Sequence, residues 1–131
     1  MLHIDLTFKE VLGEAGPNIV WHGQMLDFKE IVLPLLGSLI KSTKNNEINI
    51  TSNNKVFLFE GFDKLVLRSN ANDKILVKIN GSEILTSLSI DLWQQIYDKF
   101  VNLANNPCHN FVEFDNEELI EEGTWIIASD F

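Results

Sequence analysis

The sequence predicts an α+β fold in which two main helices pack on one antiparallel meander sheet. Three observations support this prediction: five short runs that alternate apolar and polar residues, two longer stretches with apolar residues at helical spacing, and an Asn80-Gly81 pair typical of a two-residue hairpin turn. A chain of 131 residues has room for one such core. We therefore expect a single domain over residues 1–131.

The N-terminal region has the pattern of two short strands. Leu2 to Phe8 alternate apolar and polar side chains, which is the period of a strand with one face against the core. Ile19 to His22 follow a break rich in glycine and proline and predict a second strand. If the first strand lies at a sheet edge, its unpaired backbone groups offer a place for another chain to pair.

The stretch from Phe28 to Ser42 predicts the first helix. Its apolar residues recur at spacings of three and four, and Asp27 is placed to cap the N-terminus. Pro34 lies inside this stretch and removes a backbone donor. We therefore expect either a kink or a later helix start that has Pro34 in its first turn.

Five alternating runs, each bounded by turn-forming residues, predict the strands of the meander. They are Glu47–Thr51, Lys55–Glu60, Lys64–Ser69, Lys74–Ile79 and Ser82–Thr86. In the second run the residues at 56–59 are all apolar, so both faces of that strand are apolar. This pattern predicts a strand that is central or covered on both sides.

The second helix is predicted over Ser89 to Ala104. Ser89 can cap it, and Asp91 in the first turn is favoured by the helix dipole. One broad apolar face is formed by Leu92, Trp93, Ile96, Tyr97, Phe100, Leu103 and Ala104. Two last strands, His109–Asp115 and Thr124–Ser129, are expected to pair around an acidic connection.

Charge is distributed unevenly along the chain. Nineteen acidic residues against ten basic ones give a net charge of -9, which argues against nucleic acid as a partner. All ten basic residues lie in residues 1–99, whereas residues 100–131 hold seven acidic residues and no Lys or Arg. An anionic surface of this kind speeds association with a basic partner, and the alternative is a solvated face that keeps the protein in solution.

The candidate partner-binding residues lie in this C-terminal part of the chain. They are Glu113, Asp115, Glu117, Glu118, Glu121, Glu122 and Trp125. Trp125 follows the acidic connection and alternates with Ile127, so it is either a core residue or the aromatic centre of an anionic interface.

No motif indicates a nucleophile or a catalytic base. Cys108 and His109 are sequence neighbours, and on a strand their side chains would point to opposite faces, so we expect a small buried thiol instead of a catalytic pair. Glu113 and Asp115 would share one face of a strand, as an acid and base pair requires, but solvent-facing carboxylates are favoured here. We therefore expect no enzymatic activity.

The histidines also lack the spacing of a metal motif. His3, His22 and His109 could meet Asp5 or Glu113 around a metal, yet none of them has helical i, i+4 spacing or a Cys-x-x-Cys cluster nearby. We expect ordinary strand and loop histidines, no bound metal and no cofactor.

Two further patterns concern the compartment. No apolar stretch approaches the roughly 20 residues that cross a bilayer, and the N-terminus lacks a basic segment followed by an apolar one. A single cysteine, Cys108, excludes an internal disulfide framework. These patterns predict a cytoplasmic protein without a membrane partner.

The C-terminal stretch resembles small acidic immunity proteins of bacterial polymorphic-toxin and contact-dependent inhibition systems. The resemblance lies in the capped helix Ser89–Ala104, the segment His109–Asp115 and the segment Leu119–Ile127. It implies a short, cytosolic, single-domain α+β protein without catalysis of its own. Such proteins bind and block a cognate toxin, which is often a basic nuclease.

Two other functions stay open at this point. One is an interaction, assembly or chaperone-like component of a secretion or phage-like apparatus, which would use the strand at Leu2–Phe8 and could also self-associate. The other is a small ligand-binding domain or enzyme with a pocket between helix and sheet. A toxin-like reading frame immediately upstream would separate the immunity hypothesis from both.

Overall fold

The computed structural model describes residues 2–41, 46–52, 57–71, 74–114 and 124–130. The strands are β1 (Leu2–Thr7), β2 (Asn18–His22), β3 (Asn46–Asn49), β4 (Phe57–Glu60), β5 (Lys64–Asn70), β6 (Leu76–Asn80), β7 (Glu83–Ser89), β8 (His109–Val112) and β9 (Thr124–Ala128). The first helical segment, α1, has an α-helical part Met25–Asp27, a π-helical part Phe28–Val32 and a second α-helical part Leu33–Lys41. The second helix, α2, spans Ile90–Asn105, and a short 3₁₀ turn spans Ile50–Ser52.

These strands form two mixed sheets. Sheet I has the order β4-β1-β2-β9-β8, and sheet II has the order β3-β5-β7-β6. The pairs β1 with β4, β2 with β9 and β5 with β7 are parallel, and the remaining pairs are antiparallel. The predicted combination of two helices with β-structure is confirmed, but the prediction of a single antiparallel meander is wrong.

The departure from a meander begins at β4. This strand leaves its sequence neighbours and pairs in parallel with β1 at the edge of sheet I, with Phe57 opposite Leu2. Phe57 is buried, whereas Leu58 on the other face is 47% exposed. The prediction that this strand is central or covered on both sides is therefore wrong. Apolar alternation indicates that a strand exists but does not specify its partner, because the backbone groups that pair are the same in every strand.

The pairing of β1 corrects a second expectation. β1 pairs with β2 along its length and with β4 over Leu2–Asp5, so most of this strand presents no free edge to another chain. Two predicted pairings are confirmed. A hairpin joins β6 to antiparallel β7, but its two turn residues are Gly81, at φ 62°, and Ser82, one position later than predicted, because Asn80 still pairs with Glu83; β8 pairs with β9 in antiparallel fashion.

The α1 segment begins at Met25, three residues before the predicted start at Phe28. Asp27, which the sequence suggested as the cap, lies inside the first turn, and its carboxylate accepts a hydrogen bond from the backbone N–H of Gln24 at 2.9 Å. The π-helical turn directly precedes Pro34, and the N–H of Leu33 donates to the carbonyl of Phe28. The π-helical turn interrupts the α-helical hydrogen bonds, so a new α-helical part begins at Leu33. Pro34 lies in the first turn of this part, where its missing N–H is tolerated.

The helix α2 follows the prediction closely and joins the two sheets. The hydroxyl of Ser89 accepts a hydrogen bond from the N–H of Leu92 at 3.3 Å, which caps the helix as expected. Trp93 is fully buried; its ring lies 6.1 Å from that of Trp125 in sheet I, and its Nε1 donates to the carbonyl of Arg68 in sheet II at 2.8 Å. One hydrophobic cluster accordingly includes residues of both sheets and both helices.

Neither helix in the described part of the chain has the length and apolar content that crossing a membrane requires.

We expect Trp93→Ala to lower the free energy of unfolding by about 3 to 5 kcal/mol, because it removes a buried indole and leaves a cavity between the sheets. Urea unfolding followed by circular dichroism measures this loss. Trp93→Phe is the matched control: it keeps an aromatic ring but loses the hydrogen bond to Arg68, so it should cost less. A Trp93→Ala protein as stable as the unmodified chain would contradict this packing.

Candidate functional site

The structure describes two of the seven candidate partner-binding residues. Glu113 directly follows β8 and is exposed, as a partner-binding carboxylate must be. Asp115, Glu117, Glu118, Glu121 and Glu122 lie outside the described residues. The predictions made for these five residues therefore stay predictions.

Trp125 belongs to the core and is unavailable to a partner in this structure. It is fully buried, and its ring lies 4.9 Å from that of Trp21 and 5.6 Å from that of Phe114. Of the two alternatives that the sequence left open for Trp125, the structure supports the core residue. Trp125 is therefore removed from the candidate partner-binding set, because a side chain packed on all sides cannot contact another protein.

The topology of sheet I gathers acidic residues from separate parts of the chain at one end. β1, β4 and β8 finish at this end, and β2 and β9 begin there, as their registers require. The described acidic residues at this end are Glu10 and Glu14 in the 8–17 connection, Glu60 at the end of β4, and Glu113 after β8. We call this region the acidic end of sheet I.

A cleft of about 400 Å³ opens on the outward face of sheet I beside this end. Its lining includes Asp5 on β1, Glu60 on β4 and His22 on β2, together with the apolar side chains of Val11 and Val20. Nε2 of His22 lies 2.9 Å from Oδ2 of Asp5, so the two side chains form a hydrogen-bonded pair. Asp5 and Glu60 are direct neighbours in the register of the parallel strands β1 and β4.

The strand pairing also brings the three histidines onto one face of sheet I. His3 is opposite His22, His22 is opposite Ala128, and Ala128 is opposite His109. The His3 and His22 rings stack with centroids 4.9 Å apart. Sequence alternation placed His3 and Asp5 on one face of β1, but no sequence signal showed which strands would lie beside it.

This row of histidines does not form a metal site within the described residues. No three side chains of His, Cys, Asp or Glu in those ranges are grouped so that they could hold a metal ion. His109 pairs with Asp130 through Nδ1 at 2.8 Å, and Cys108 is half-buried where the sequence predicted a buried thiol.

The outward face of sheet II carries charges that compensate one another across the strands. Arg68 lies 3.7 Å from Glu47, and Lys64 is opposite Glu83 in the register of β5 and β7. Cross-strand pairs of opposite charge are typical of a solvent-facing sheet surface. The shallow cleft of about 220 Å³ on this face is therefore a weaker candidate site than the one on sheet I.

The pocket that the sequence suggested between helix and sheet is small. The space between α2 and β7, lined by Leu88, Leu92 and Ile96 among others, has a volume of about 90 Å³. Clefts that hold small organic ligands usually measure about 300 to 1,000 Å³. The cleft on the outward face of sheet I is the larger space, so a ligand-binding hypothesis belongs there.

Among known proteins, no family model, no curated protein and no solved structure matches this chain. Function must therefore be argued from the chemistry of these surfaces.

The 8–17 connection that forms one wall of the cleft contains an unusual turn. Backbone hydrogen bonds between Val11 and Glu14 at 3.0 and 2.9 Å close a two-residue turn with Leu12 at φ 49° and Gly13 at φ 84°. Positive φ at both central positions suits Asn or Gly, whereas a leucine is disfavoured there. The turn nevertheless presents Leu12 to solvent with 49% of its surface exposed.

We expect Leu12→Asn to raise the free energy of unfolding by about 1 kcal/mol, because Asn tolerates the left-handed region better than Leu. Chemical denaturation monitored by tryptophan fluorescence measures the change. The matched control is Leu26→Asn, which replaces another exposed leucine in α1, where the backbone is helical and Asn brings no such gain. Equal or lower stability for Leu12→Asn would show that this turn is not strained by its leucine.

Proposed function

We propose that this chain is a cytoplasmic protein-binding module that acts as an immunity protein: it neutralises a basic toxin through an acidic surface at its C-terminal end. The observation that carries the proposal is the segregation of charge. Residues 100–131 contain seven acidic residues and no Lys or Arg, while every basic residue precedes them. A surface of one sign attracts a partner of the opposite sign over distances longer than direct contact.

The described residues on either side of the acidic segment, residues 115–123, support this role. Phe114, at one boundary of the segment, is buried against Trp125, and Thr124, at the other boundary, begins β9, an inner strand of sheet I. The N–H of Thr124 also donates to the carbonyl of Pro17 at 3.3 Å. The described residues that flank this segment thus lie at the end of sheet I that also carries Glu10, Glu14 and Glu60.

A basic partner is favoured over the alternatives by charge and by topology. A net charge of -9 opposes binding to the phosphate backbone of nucleic acids. The assembly hypothesis depended on a free edge at Leu2–Phe8, and β1 has neighbours on both sides. A toxin that is itself a nuclease would present a cationic surface, to which an acidic inhibitor is complementary.

The proposal predicts that reversing three acidic residues, Glu117, Glu121 and Glu122 to Lys, slows association with the toxin. The partner to test is the protein encoded by a toxin-like reading frame next to this gene. The association rate constant at low salt should fall by about tenfold or more, and the difference should shrink as salt rises. Stopped-flow fluorescence measures both effects, and cell survival on co-expression reports protection.

The control for this experiment has the same change in net charge elsewhere on the surface. Glu30, Glu83 and Asp98 are exposed and lie in α1, β7 and α2, so their reversal to Lys should slow association much less. Equal rates for the two triple variants, with full protection by both, would contradict an interface at the acidic end. Absence of a neighbouring toxin gene, together with tight binding of a small metabolite, would overturn the immunity proposal itself.

A further inference from the structure

The cleft on the outward face of sheet I is open to solvent and has apolar as well as polar side chains in its lining. Val20 on β2 is buried and contributes to its lining, and Val11 contributes from the 8–17 connection. Gly61, directly after β4, lines the opposite side. A space of about 400 Å³ with such walls can accept an extended side chain and contact the aliphatic part of it.

The polar groups of the cleft carry negative charge. The carboxylates of Asp5 and Glu60 lie on neighbouring parallel strands and both face the cleft, and no Lys or Arg is among its described lining residues. The Asp5 side chain is 29% exposed and is held by its hydrogen bond to His22. Two carboxylates on one wall, one of them fixed in orientation, form a receptor for a cation that donates hydrogen bonds.

We propose that this cleft binds the guanidinium group of an arginine side chain supplied by the basic partner. A guanidinium presents a planar set of donors that matches carboxylate oxygens, and it is more weakly hydrated than an ammonium group. An arginine also carries an aliphatic stem, which would lie along Val11 and Val20. A metal ion does not fit, because no group of three ligating side chains is assembled among the described residues.

The surroundings of the cleft favour a protein over a free small molecule as the source of this arginine. Phe8 and Leu12, on the connection that forms the wall, are 69% and 49% exposed. Leu12 has a positive φ, which is unfavourable for leucine, so keeping a leucine at this position lowers the stability of the free protein. A buried arginine beside apolar and aromatic contacts is the usual composition of the energetic centre of a protein interface.

This inference rests on the proposed function for the identity of the partner, but the cleft can be tested with the purified protein alone. The probe is N-acetyl-L-arginine N-methylamide, titrated at neutral pH and followed by ¹⁵N-resolved NMR. Saturable shifts are expected at the amides of Asp5, Val11, His22 and Glu60. The citrulline analogue has the same shape without the charge, and the lysine analogue has the charge without the planar donors; both should bind at least tenfold more weakly.

Two variants locate the binding. Glu60→Gln changes an exposed residue at the end of an edge strand, so the fold should be kept while the Kd for the arginine probe rises at least tenfold. Glu83→Gln on sheet II is the matched control and should leave the Kd unchanged. Absence of saturable shifts, equal binding of the arginine and citrulline probes, or an unchanged Kd in Glu60→Gln would each overturn the proposal.

The two proposals fail in different ways. If the arginine probe binds at Glu60 while reversal of Glu117, Glu121 and Glu122 leaves toxin association unchanged, the cleft is upheld and the acidic segment is not the interface. If toxin association depends on the acidic segment but the arginine probe does not bind, the cleft proposal is overturned and the proposed function stands.

Discussion

The indole of Trp93 makes the contact on which the rest of the structure depends. Its Nε1 donates to the carbonyl of Arg68 in sheet II, and its ring packs on Trp125 in sheet I, so one side chain of α2 touches both sheets. Trp21 and Phe100 continue this packing, with rings 5.5 Å apart. Because the inward faces of both sheets are used in this core, each sheet has its other face available for polar groups.

The outward faces of the two sheets differ in the side chains that a partner could contact. On sheet II two outward cations have a carboxylate across the strand, Arg68 beside Glu47 and Lys64 opposite Glu83. On sheet I the carboxylates of Asp5 and Glu60 share a cleft beside the acidic end, and the 8–17 connection adds exposed apolar side chains. A basic partner would therefore be attracted to the acidic end of sheet I and would make its direct contacts in the cleft beside that end.

Local features were predictable from the sequence, and pairings between distant segments were not. The cap at Ser89, the buried face of α2 and the hairpin between β6 and β7 each depend on residues within a few positions of one another, and each is confirmed, although the turn lies one residue later than predicted, at Gly81 and Ser82. The placement of β4 beside β1 depends on which apolar faces fit together, which alternation does not encode. Glu60 lies beside Asp5 through that same pairing, and His22 lies there through the pairing of β1 with β2, so the cleft was not predictable from the sequence either.

Because both sheets share one core, we expect residues 1–131 to unfold as one domain. Native-state hydrogen exchange in low concentrations of denaturant tests it most directly, because it reports the opening free energy of each amide separately. The slowest amides of β2 and β9 in sheet I and of β5 and β7 in sheet II should exchange through one global opening with the same free energy. Exchange of the sheet II amides through an opening of lower free energy, with sheet I still protected, would contradict it.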